Sequence, residues 1–121
     1  MSADRVAEAL AALPAWDAPD DLDPECLSLC RAMNAFSGIT TTCSCAGHLL
    51  GEFAIWFRAA TLDALPALLY YTSQCHTGVK GWRVEVSTDC AMSPVTFTLY
   101  GPPFDVEGAD GIALAMATHG R

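Results

Sequence analysis

Gly81-Trp82-Arg83-Val84-Glu85-Val86-Ser87-Thr88, followed by Val95-Thr96-Phe97-Thr98-Leu99-Tyr100, is the stretch that decides the fold. Trp82, Val84 and Val86 alternate with Arg83, Glu85 and Ser87, and Val95, Phe97 and Leu99 alternate with Thr96, Thr98 and Tyr100. A period of two marks strands with one buried face each. The seven residues Thr88–Pro94 join them, which predicts an antiparallel hairpin with a long loop. Gly101-Pro102-Pro103 ends the second strand.

Upstream, Phe53-Ala54-Ile55-Trp56-Phe57 is a continuous apolar run, as expected of a strand covered on both faces. Ile39–Cys43 is β-branched and short, a further strand. Four helices fill the intervals. Residues 2–13 place Val6, Leu10 and Leu13 on one face and stop at Pro14. Asp23 as N-cap, Pro24 at the first helical position and Glu25 in the first turn open a second helix, with a stripe of Cys26, Leu29, Cys30, Met33 and Phe36 and a stop at Gly38. A third begins at Thr61 or Leu65, with Leu62, Leu65, Leu68 and Leu69 inward. The last covers 106–118, with Val106, Ile112, Ala115 and Met116 inward, although Gly108 and Gly111 are poor helix formers. The reading is one α/β (α+β) domain over residues 1–121. A four-stranded mixed or antiparallel sheet is packed with helices in the order α-α-β-β-α-β-β-α. Residues 1–23 form an N-terminal helix and acidic linker, and 24–118 form the core.

At 121 residues with 52% hydrophobic and 17% charged residues, the chain can bury a core without disulfides or a structural metal. Six Lys and Arg stand against 14 Asp and Glu, a net charge of −8. Seven of the acids fall in residues 1–25, against Arg5 alone. Lys80 is the only lysine, so the basic stripe that a duplex nucleic-acid binder needs is missing, as is one for a membrane surface. No apolar run approaches a membrane span, and the Ala-rich, acidic N-terminus does not read as a signal peptide. The expectation is a cytoplasmic protein whose six cysteines are reduced thiols or metal ligands.

Three segments carry candidate chemistry. Cys43-Ser44-Cys45-Ala46-Gly47-His48 puts soft ligands within six residues just past a strand. An extended backbone turns Cys43 and Cys45 to the same face. Cys75-His76 falls at the end of the third helix, where a helix dipole already favours histidine. The hairpin loop holds Asp89, Cys90 and Ser93, and its length suits either function or a capped turn. One reading is a pocket for a small molecule or anion. Ser44, Cys45, Gly47 and His48 form one wall, and His76, Asp89, Cys90 and Ser93 the other. Backbone N–H groups near Ala46-Gly47 would hold a carboxylate or phosphate there. A second is a metal module, zinc being the candidate ion, on Cys45, His48, Cys75, His76 and Cys90. A third is a non-catalytic homo-oligomer, a homodimer in its simplest form. Cys45 beside His48 or His76 also fits a nucleophilic thiol, and Cys43 with Cys45 a redox pair. Cys26 and Cys30 read as core residues.

Gly38-Ile39-Thr40-Thr41 followed by Ser44-Cys45-Ala46-Gly47-His48 is similar to the Ser-Cys-x-Gly-basic signature of the wybutosine-synthesis methyltransferases that act on tRNA. The same run, with Phe53–Arg58, Cys75-His76, Gly81-Trp82, Thr88-Asp89-Cys90 and Met92–Phe97, resembles a group of small bacterial and phage proteins without an assigned activity, over residues 24–118. The resemblance implies a related fold and a ligand site at Ser44, Cys45, Gly47 and His48, in a binding protein or a small enzyme related to RNA-modification methyltransferases. Those methyltransferases use S-adenosylmethionine and a basic tRNA surface. This chain lacks that surface and has His48 where they carry Arg or Lys.

Overall fold

The computed structural model describes residues 3–36, 38–48, 51–72, 79–87 and 96–119. In chain order these form α1 (Ala3–Ala11), a 3-10 turn (Pro24–Cys26), α2 (Leu27–Ala35), β1 (Ile39–Cys45), β2 (Phe53–Ala59), α3 (Ala64–Thr72), β3 (Arg83–Ser87), β4 (Thr96–Gly101) and α4 (Val106–His119). The expected α-α-β-β-α-β-β-α order is the one observed, and the sheet is antiparallel throughout. Its strand order is β1-β2-β4-β3. Two hairpin pairs meet at a central β2–β4 seam, and β1 and β3 form the edges.

The continuous apolar run of β2 makes sense at the seam, where it is flanked by strands on both sides. Phe53, Ile55 and Phe57 point to one face and are fully buried there. Leu99 and Phe97 of β4 stand opposite Ile55 and Phe57, and the Phe57 and Phe97 rings stack at 5.6 Å. The helices cover this face. The predicted stripe of α2 is inward as read: Cys26, Leu29, Cys30, Met33 and Phe36 are all buried. Ile112 and Met116 of α4, Leu68 of α3 and Leu13 after α1 complete the core. Each fully buried large apolar side chain contributes roughly 1.5–3 kcal/mol.

Four inward expectations fail. Leu62 is 74% exposed because α3 starts only at Ala64, so it lies outside the helical period. Leu69 is 46% exposed, one position round from the buried Leu68. Val106 is the first residue of α4 and stays in solvent at 37%. Val86 is 65% exposed, near the end of the edge strand β3, whose Val84 does pack against the core.

Candidate functional site

β1 is the strand that organises the site, and it carries an irregularity. Thr41 pairs with Phe57 but Cys43 pairs with Trp56, so Thr42 is an inserted residue, a β-bulge. The bulge shifts the alternation by one. Ser44, opposite Ile55, then faces the helical layer, while Cys43 and Cys45, opposite Trp56 and Ala54, share the other face. Cys43 is exposed and Cys45 buried. Two residues apart on a strand, they are separated by roughly 6.6 Å of rise, at the far limit of disulfide geometry.

Beneath α2, Ser44 meets two thiols. Burial pushes the Cys26 thiol up to about 11; a side-chain hydrogen bond with Ser44 opposes this, and the charge of Asp23 adds to it. Burial likewise pushes Cys30 up to about 12 against a hydrogen bond with Ser44. Both are therefore neutral thiols at physiological pH, with the core role expected of them.

The strand ends in the turn Ala46-Gly47-His48. The Ala46 N–H donates to Asp23 Oδ2 at 3.1 Å, and the Ala46 carbonyl accepts from the Phe104 N–H at 2.7 Å. His48 Nε2 lies 3.9 Å from both Asp23 Oδ2 and Glu25 Oε2, and its ring meets Phe104 edge-on at 4.8 Å. Gly47 has φ +140°, and a Cβ there would sit 3.2 Å from the Phe104 ring and from Pro103. The close approach that glycine permits is thus made by Phe104 and Pro103. An internal carboxylate, that of Asp23, takes the Ala46 N–H that the sequence offered to an external anion. Asp23 flanks the 3-10 turn as its N-cap but makes no capping bond there; its side chain reaches across to the end of β1 instead.

A cleft of about 310 Å³ opens beside this turn, between residues 16–22 and the middle of β1. Trp16, Asp17 and Asp21 line one wall; Thr42 and Ser44 line the other, with Cys30 among the lining residues. Its position follows from edge-strand hydrogen bonding. Along the outer edge of β1, the N–H groups of Ile39, Thr41 and Ala46 are bonded by the Phe36 carbonyl, the Asn34 side chain and Asp23. Advanced by one at the bulge, the alternation makes Ser44 the remaining outward residue in that series. Ser44 is where the covering chain stands off and the cleft opens.

Of the residues singled out in the sequence, Cys43 and Ser44 line this cleft, Cys45 and Gly47 are buried, and His48 is exposed on the turn. Cys75, His76, Asp89, Cys90 and Ser93 lie outside the described residues. Of the five metal candidates, only Cys45 and His48 are described. Among the described residues no three His, Cys, Asp or Glu side chains are grouped to hold a metal ion. None of the described helices is long and apolar enough to cross a membrane. Trp16, Asp17 and Asp21 carried no motif; the signal available was their place in the acidic linker. No family model, curated protein or solved structure matches the chain.

Proposed function

We propose that this chain is a small-molecule-binding protein whose site is the cleft between residues 16–22 and the bulged centre of β1. The observation that carries the reading is the coincidence of that cleft with Ser44, the position in the outward series Ile39, Thr41, Ser44 and Ala46 beside which no described residue closes the strand's outer edge. Its volume, about 310 Å³, falls at the small end of ligand pockets, which span roughly 300–1,000 Å³. That size suits a compact metabolite. The pocket mixes an indole, aliphatic surface and a few polar groups, the lining typical of small-ligand sites. The turn at His48 is tied to the start of the helical layer through Asp23.

The test is a metabolite screen against the full chain by two-dimensional amide NMR. Binders are expected to move the signals of residues 16–22 and 41–44 first. A bulky substitution at the exposed bulge, Thr42→Trp, is expected to leave the fold intact and reduce that binding at least tenfold. Binders that leave both segments unmoved, or that tolerate Thr42→Trp, overturn the assignment.

A further inference from the structure

We propose that the cleft takes a small organic cation, an alkylammonium group, an inference that rests on the cleft being the binding site. The argument begins with how the acidic stretch is matched. Asp23 and Glu25 face His48, and Asp23 also accepts the Ala46 N–H. On the far edge of the sheet, Glu52 and Glu85 both pair with Arg83. Asp17 and Asp21 differ: both line the cleft, and neither has a hydrogen bond or ion pair among the described residues. Among the described residues no Lys, Arg or His lines the cleft to offset them.

The remaining lining is also suited to a cation. Trp16 offers an indole, the ring that attracts organic cations most strongly. Thr42 and Ser44 offer hydroxyl oxygens to an ammonium, which carries three donors and no acceptor. An anion placed here would meet two carboxylates without a compensating charge. A bare divalent ion would want a convergent set of oxygen ligands. The described residues hold no group of three that could supply one. A cavity with one aromatic wall and two separate carboxylates matches an organic ammonium better, because its alkyl part occupies the volume while its head meets the acids.

The experiment titrates the full chain with butylammonium, with the neutral butanol and with butyrate, following amide signals at low salt. Butylammonium is expected to shift residues 16–22 and 41–44. Butanol should bind there at least tenfold more weakly, and butyrate should leave these signals in place. The double variant Asp17→Asn/Asp21→Asn, both positions exposed, should keep the thermal midpoint and lose at least tenfold in butylammonium affinity. Butanol binding in the cleft as tightly as butylammonium, with no effect of the double variant, overturns the cation assignment while the cleft stands. Shifts spread along residues 4–25 instead of the cleft also overturn it, as diffuse attraction to an acidic surface. So does calcium chloride binding in the cleft where butylammonium does not. If no screened metabolite moves the cleft signals at all, the cleft reading itself fails.

Discussion

Cys26 and Cys30 sit under the first turns of the helical layer with Ser44 below them, and their burial has a consequence for alkaline stability. An unfolded cysteine loses its proton near pH 9, while the folded chain holds these protons until about 11 and about 12. Below pH 9 both states are protonated and the contribution is intact. Above it, the unfolded state alone releases protons, so stability falls by roughly 1.4 kcal/mol per thiol per pH unit across that window. Urea midpoints measured from pH 8 to pH 10.5 are expected to fall less steeply in Cys30→Ala than in the unaltered chain; equal slopes contradict the assignment. These thiols were legible as core because the period of the helix places them there. The glycines were not. Gly108 reads as a weak point in a helix, yet its N–H is bonded by Asp105 Oδ1, and a Cβ there would overlap the same carboxylate and crowd the Trp82 indole. Asp105 also accepts from Trp82 Nε1 at 3.1 Å, and a Cβ on Gly101 would overlap the indole ring itself. Two glycines distant from it in sequence make room for one tryptophan and an aspartate accepts its N–H, and no local pattern announces that.

At the scale of elements, the two ends of the site are joined by a single side chain. Asp23 stands at the head of the 3-10 turn leading into α2 and is bonded to the last turn of β1, with His48 beside it. Asp23→Ala leaves the buried Ala46 N–H unpaired, at a cost of about 1–3 kcal/mol. Asp23→Asn keeps an acceptor and is expected to recover about half. Urea unfolding of both variants checks the order, and equal loss in the two would mean that the hydrogen bond is not the contribution. The pair Asp23-Pro24 is a strong helix-start signal, and a start does follow it. The use of the carboxylate across 23 residues belongs to the tertiary structure and leaves no mark on the local pattern. The bulge was equally hidden. Thr40, Thr41 and Thr42 are identical in chemistry, so nothing in their order says which one the ladder skips. The candidate turn was found from its own residues, whereas the wall that faces Ser44 comes from a linker that carries no motif.

At the scale of the molecule, the four-stranded sheet and its helical cover were read from two kinds of period, and the order of the elements followed directly. The neighbour relations of the strands did not, because alternation gives a face to each strand but no partner. The observed order β1-β2-β4-β3 reads the same from either edge: hairpin against hairpin, each followed by a helix. The long-range part of the sheet is the β2–β4 seam, where Ile55 meets Leu99 and Phe57 meets Phe97. A chain cut between residues 78 and 79 is therefore expected to yield two pieces that are unfolded apart and regain a native-like circular dichroism spectrum when mixed. Two pieces that stay unfolded together contradict the idea that the seam is sufficient to join them. The palindromic order has a further meaning in terms of ancestry. Two copies of one short strand-strand-helix chain, related by a two-fold axis through their inner strands, would build the same sheet. The fold is thus the architecture that fusing such a pair end to end would produce. In such a history the bulge in β1 and the acidic segment packed along it belong to one half only, so the cleft marks where the two halves ceased to be equivalent.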